Sequence, residues 1–227
     1  MSQIAPDLLP VTDRTKVRRH PERGVFDRAA LYTILDEGFV CHVALAVDGQ
    51  PYALPTGYAR LGDALYLHGS AASRMVRQLS AGLDVCVTVT LVDGLVLARS
   101  AFHHSMNYRS AMVLGRARLV TDRDEKYAAL RAFTDQVVPG RWAEVRPITE
   151  PEIKGTAVLA LPIEEASAKV RTGPPLDDGE DLKWPVWAGV VPLVTTAGAL
   201  VPDDHLLPGV EPFDRGRLRQ RGRQSAG

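Results

Sequence analysis

Two short segments of this chain concentrate side chains that can hold an anion. The first is Leu65-Tyr66-Leu67-His68-Gly69-Ser70-Ala71-Ala72-Ser73-Arg74. An apolar run meets a glycine, then small residues and hydroxyls. The pattern predicts a strand over 64–68, a turn, and a helix opening at Gly69-Ser70 and ending near Ala81, with Gly82 as its stop. Free N–H groups at a helix start, the hydroxyls of Ser70 and Ser73, and the guanidinium fork of Arg74 together suit a phosphate. The same residues also suit a plain N-cap followed by a solvated arginine, and spacing leaves both readings open. The second segment is Phe102-His103-His104-Ser105-Met106-Asn107-Tyr108-Arg109-Ser110, a polar stretch between apolar strands. Such a stretch marks either a site or a solvated loop. Adjacent histidines along a strand point to opposite faces, and no H-x-x-x-H or H-E-x-x-H spacing occurs, so no metal site is expected. A Ser105–His104 nucleophile pair lacks any elbow signature.

These segments must be positioned by the elements around them. Asp27 can cap a helix with Leu31, Ile34 and Leu35 on one face, and Gly38 is expected to stop it in the left-handed conformation. Period-two patterning then predicts a strand over 39–47, a two-residue turn at Asp48-Gly49, and a returning strand over 50–60. Pro51 and Pro55 lack backbone donors and suit an edge, a bulge or a place where something other than a strand uses the backbone. Gly62-Asp63 reads as another turn. Val85, Val87, Val89 and Leu91 alternate with polar residues, and Asp93-Gly94 interrupts that strand before 95–99. A strand over 109–120, a helix over 123–138 anchored by Tyr127, Leu130 and Phe133, and a last barrel strand over 156–163 complete the pattern. Strands outnumber helices and tight turns join them. This favours a mainly β, closed or half-closed antiparallel barrel with accessory helices.

Composition bounds the rest. The 227 residues carry 27 Lys+Arg against 27 Asp+Glu, and aromatics are 6%. Zero net charge and few aromatics argue against nucleic acid or an anionic membrane as partner. Two cysteines, Cys41 and Cys86, make no C-x-x-C pair and too few bridges for a disulfide scaffold, so a cytoplasmic setting is expected. The N-terminal residues do not read as a signal peptide. Trp184 to Pro202 is uncharged, but Pro185, Pro192 and Pro202 break it, which predicts extended strands or a flap rather than a membrane span. The expected organisation is a basic arm over 1–24 (Arg14, Lys16, Arg18, Arg19, Arg23), a barrel over 25–168, and an extension over 169–227. That extension holds a Trp/Pro-rich flap and a tail of Arg215, Arg217, Arg219, Arg221 and Arg223, expected to be disordered or loosely bound.

With both polar segments in view, the sequence resembles the flavin-nucleotide-binding, nitroimidazole-reductase-like branch of the pyridoxamine-5′-phosphate-oxidase-like superfamily. The resemblance rests on Cys41-His42-Val43-Ala44, Gly49-Gln50-Pro51 through Pro55-Thr56, Leu65 to Ser70, Ser73-Arg74 and His104 to Ser110, and it covers about residues 14–165. It implies a six-stranded split β-barrel, a homodimer, and an FMN site at the subunit interface. His68, Gly69, Ser70, Ser73 and Arg74 would surround the flavin phosphate. Pro55, Thr56 and Tyr58 would follow the ring edge. Tyr108, Arg109 and Ser110 would reach the ribityl–phosphate region, and Trp187 or Trp184 would cover the ring. The implied chemistry is FMN-dependent oxidoreduction of a small molecule by hydride transfer through flavin N5, with NAD(P)H as a candidate donor and no catalytic side chain identified. A protein that holds flavin without turnover, or that uses deazaflavin or haem, is the alternative. A haem would call on His42, His68, His103 or His104. The basic run and the C-terminal Arg/His motif of true pyridoxamine-phosphate oxidases are missing, so that substrate is not expected.

Overall fold

The computed structural model describes residues 7–218. Its first strand, β1 (Gly24–Val25), precedes helix α1 (Arg28–Glu37). Asp27 caps α1 as expected, its carboxylate accepting the Ala30 N–H at 2.8 Å. Leu31, Ile34 and Leu35 form the buried face. Gly38 ends the helix, but in extended backbone with φ −70°, not left-handed. Its glycine identity comes from packing: a Cβ there would stand 2.4 Å from the Tyr58 hydroxyl and 2.5 Å from Val89.

The hairpin β2 (Val40–Val47) and β3 (Gln50–Gly57) turns through Asp48 (φ 50°) and Gly49 (φ 78°). Both central residues have positive φ, the backbone that matches strand twist in a two-residue loop. The returning strand is split, and β4 (Ala59–Leu61) belongs to another sheet. Strand β5 (Ala64–Ser70) follows and runs two residues beyond its expected end. Helix α2 (Arg74–Ser80) therefore starts later, with Ser73 as its N-cap rather than Ser70.

Strand β6 (Asp84–Leu97) is continuous across the expected interruption. Against β7 (Ser105–Arg116), Val92 pairs with Tyr108 and Gly94 with Asn107, so Asp93 is an unpaired bulge residue. Strand β7 also takes in Ser105 to Tyr108, half of the polar segment expected to be irregular. Then come β8 (Arg118–Leu119), α3 (Arg123–Val137), α4 (Glu150–Gly155) and β9 (Thr156–Pro162). Tyr127 is 38% exposed, donated to by the Trp142 indole, and is no core anchor; Leu130 and Phe133 are. The sequence reading missed β10 (Glu165–Arg171), whose small Ala and Ser side chains give little hydrophobic signal yet lie buried. Finally β11 (Gly189–Pro192) pairs with β6 beyond the bulge. The uncharged stretch is thus partly extended strand, and among the described residues no helix is long and apolar enough to cross a membrane.

Two antiparallel sheets result. One runs β1-β10-β7-β6-β2-β3 with β11 attached to β6; the other runs β4-β5-β9-β8. Their facing sides, with α1 and α3, enclose one core containing Leu31, Val43, Leu67, Val87, Val113 and Leu159. This is a mainly β split barrel. Of the expected arginine-rich tail, Arg219, Arg221 and Arg223 lie outside the described residues.

Candidate functional site

At the end of β5 the chain turns through Ser70 to Ser73 into α2. The Ser70 hydroxyl accepts the Ala72 N–H at 3.2 Å, and the Ser73 hydroxyl accepts the Val76 N–H at 3.2 Å. Each hydroxyl therefore keeps its own hydrogen to donate outward. The Arg74 guanidinium lies 4.6 Å from the centre of the Tyr52 ring and has no carboxylate partner among the described residues. That stacking joins α2 to β3.

Strand β3 is the last strand of its sheet, bonded only to β2 among the described residues. Hydrogen-bonded pairs alternate along an antiparallel ladder. Pro51 and Pro55 have no N–H, so the bonded pairs fall on residues 50, 52, 54 and 56, opposite Val47, Leu45, Val43 and Cys41. The free edge then presents the carbonyls of Pro51, Ala53, Pro55 and Gly57 and the N–H groups of Ala53 and Gly57. Such an edge can bond the rim of a planar heterocycle. A Cβ on Gly57 would meet nothing within 4 Å, so there is room beside it.

The other expected site residues are placed as follows. Thr56 is half-buried opposite Cys41. Tyr58 is 1% exposed and its hydroxyl donates to the Leu35 carbonyl, so only its backbone could serve a ligand. His68 is solvent-exposed with one edge against Phe133, ring centres 4.1 Å apart, and partial desolvation there holds its imidazole below the ordinary value. Arg109 is clamped: its Nε and Nη2 donate to Asp93 at 2.9 and 2.7 Å, and it also grips Glu37 at the end of α1. Those bonds, Asp93 first and Glu37 second, raise the guanidinium above its ordinary value. The bulge in β6 is what aims Asp93 at Arg109. Tyr108 pairs across the sheet with Arg171, and Ser110 donates to the Lys169 carbonyl. Trp187 is 64% exposed, its ring against Gly189. Among the described residues, no hydrogen bond, ion pair or ring contact joins Tyr108, Arg109, Ser110 or Trp187 to Ser70, Ser73 or Arg74 within one chain.

Residues distant in sequence supply features that spacing could not show. Tyr52 reaches Arg74 only because β3 and α2 meet in space. A groove of about 560 Å³ lies between Glu37–Val40, Thr90–Asp93 and Leu193–Thr195. His103, Asp178 and Asp181 bring ligand-type atoms within 4.8 Å of one another, on an open surface. Burial pushes the Cys41 thiol up to about 12, and both cysteines are free.

The fold is a split barrel in which the outer edge of β3 lies beside a turn that carries two hydroxyls and an arginine. Residues 27–170 match the family model described as pyridoxamine 5'-phosphate oxidase, and the chain belongs to that family. It is similar to the flavocytochrome Anf3 from Azotobacter vinelandii, with 45% identity over 90% of this chain and 95% of that one, TM-score 0.84. It is also similar to the FAD and heme binding protein from Mycobacterium smegmatis, with 39% identity over 87% and 98%, TM-score 0.83. A candidate 5-nitroimidazole antibiotic resistance protein from Bacteroides thetaiotaomicron shares the fold at 24% identity over 65% and 86%, TM-score 0.55. No curated protein matches the sequence.

Proposed function

We propose that this chain is a flavin-nucleotide redox protein. The carrying observation is the arrangement at the turn into α2: two serine hydroxyls that each keep a hydrogen to donate and an arginine with no carboxylate partner among the described residues, beside the open edge of β3. That donor set fits the phosphate that a ribityl chain joins to the flat, hydrogen-bonding ring system of a flavin nucleotide. Ser70, Ser73 and Arg74 bind the phosphate shared by FMN and FAD. The edge of β3 orients the ring, with Ala53 and Gly57 donating and the Pro51 and Pro55 carbonyls accepting. A bound flavin supplies one- and two-electron transfer. Tyr52 holds Arg74 in place, and the buried Tyr58 hydroxyl fixes the chain where β3 passes into β4.

The relative named for FAD and haem favours FAD over the FMN expected from sequence. Dimerisation is part of the proposal: the resemblance brings Tyr108 and Trp187 to the flavin, and among the described residues no hydrogen bond, ion pair or ring contact joins either to Arg74 within one chain. A small-molecule acceptor with a nicotinamide donor remains the reaction class proposed. Haem is a second reading, favoured by the names of both similar proteins. His68 would be the residue to hold the haem iron; partial desolvation against Phe133 holds its imidazole below the ordinary value, which favours the neutral form a metal takes.

The test is a visible spectrum of the purified chain, with mass spectrometry of what heat releases. Flavin bands and released FAD are expected, and FMN in its place would restore the sequence-based assignment. A colourless protein that takes up neither nucleotide would end the flavin reading. A Soret band lost in His68→Ala but not in His42→Ala would identify the haem ligand.

A further inference from the structure

The segment 172–183, where the chain leaves β10, is not used by the site above. It docks on the barrel at a single helical turn, Ala101–His103, that precedes β7. Asp177 makes the joint: its carboxylate accepts the Arg99 backbone N–H and the Arg99 Nη1, each at 2.8 Å. Its neighbour Asp178 then meets His103, with Nε2 of the ring 3.2 Å from Asp178 Oδ2. A second turn, Asp181–Lys183, brings the Asp181 carboxylate to the same place. One donor atom from each of His103, Asp178 and Asp181 lies within 4.8 Å of the other two. Spacing could not show this, because 75 residues separate His103 from Asp178.

Charge at this corner is unbalanced. Asp177 is paired with Arg99 and Glu180 with Lys183. Asp178 and Asp181 have no lysine or arginine partner among the described residues. Two carboxylates held this close repel each other, and a divalent cation between them would remove the repulsion. The third donor says which cation. Calcium and magnesium take oxygen ligands, whereas an imidazole beside carboxylates suits zinc and its neighbours in the first transition row. Atoms bound to one zinc ion at about 2.1 Å stand about 3.4 Å apart in a tetrahedron. The His103–Asp178 separation is already close to that, and small rotations of the aspartates bring the rest there. The His103 side chain is only 20% exposed, with the Phe102 ring edge-on to it at 5.1 Å between centres, so the imidazole is held in place.

We propose that His103, Asp178 and Asp181 bind one divalent ion of the zinc class, with water completing the coordination, and that the ion clasps the extension to the barrel. The claim does not depend on the flavin reading, which uses none of these three side chains. The Trp184 N–H donates to the Asp181 carbonyl at 2.9 Å, so the clasp reaches the first tryptophan of the extension.

The test is calorimetric titration of the full, untagged chain with zinc chloride, after EDTA treatment and desalting with its cofactor left in place. One saturable site per chain is expected. Affinity is expected to fall tenfold or more in His103→Ala, Asp178→Asn and Asp181→Asn. It is expected to stay within twofold of wild type in His104→Ala, and in His20→Ala, which removes another exposed histidine–carboxylate contact. Calcium chloride is expected to bind at least tenfold more weakly than zinc. Zinc is expected to change the tryptophan emission of wild type and not that of Trp184→Phe. Flavin content is expected to hold in Asp178→Asn and Asp181→Asn, and a fall there would place these residues in the flavin site, against the proposal. No saturable zinc binding, or binding that survives the loss of His103, would overturn it. Equal binding of calcium and zinc would do the same, as the behaviour of an acidic patch alone. Zinc binding with wild-type emission unchanged would overturn the clasp.

Discussion

Arg74 and Arg109 both stand in the motifs that suggested a flavin site, yet the structure uses them in different ways. Arg74 lies on an aromatic ring at an open turn and has no carboxylate partner among the described residues. Arg109 is held between Asp93 and Glu37, its side chain 15% exposed, and ties the end of α1 to the bulge in β6. The difference is one of partners, not of residue type. A guanidinium surrounded by carboxylates has its hydrogen bonds and charge already satisfied, whereas one on a tyrosine face keeps its donors for a ligand.

The largest test of this contrast is Arg109→Met. Removing the cation leaves two carboxylates facing each other in a half-buried pocket, which should lower unfolding free energy by about 3 kcal/mol in a urea melt. An unchanged midpoint would mean that the clamp is idle. Close behind is Gly38→Ala at the same end of α1. The added methyl has no room beside Tyr58 and Val89, and overpacking of this kind costs about 2 kcal/mol. A neutral result would show that the turn after α1 shifts freely. The reverse pattern is expected of Arg74→Ala: flavin affinity falls by roughly tenfold or more, about 1.5–3 kcal/mol of charge-assisted bonding, while the melt stays within about 0.5 kcal/mol of wild type. Equal effects of both arginines on stability and on flavin content would erase the distinction.

The smallest effect belongs to a third kind of arginine. Exposed Arg146 pairs with Glu152, whose carboxylate also accepts the Thr149 N–H in the capping box of α4. The bond from Arg146 first, then those from Thr149, hold Glu152 down to about 2 from its ordinary 4.5. A depressed carboxylate stabilises the fold fully above the unfolded value, and that contribution fades as pH falls from about 4.5 toward 2. Glu152→Gln should therefore flatten the acid side of the stability profile slightly over that window. A Glu152 titration near the ordinary value, followed by NMR, would contradict the assignment.

Much of the fold was legible locally. Asp27 and the Asp48-Gly49 turn act through residues within four positions, and period-two patterning marks β2, β5, β6 and β9 without reference to anything distant. The failures share a cause. Strand β10 is made of small side chains, and its pairing with β7 and β1 buries it despite a weak pattern. Asp93-Gly94 has the letters of a turn but sits in a strand, because β7 on one edge and β11 on the other supply its partners. Gly38 looked like a conformational glycine and is a packing one.

The site divides in the same way. Sequence alone determined the hydroxyl-bearing turn with its arginine, the prolines of an edge strand, and membership in a flavin-associated family, since each rests on residues adjacent in the chain. Only the tertiary structure decided that Tyr52 would support Arg74, that Tyr58 would vanish into the core, that Arg109 would be claimed by two acids from other elements, and that His103 would meet Asp178 and Asp181. Those outcomes depend on which side chains meet across strands and helices, and burial and charge pairing between distant residues leave no period in the sequence.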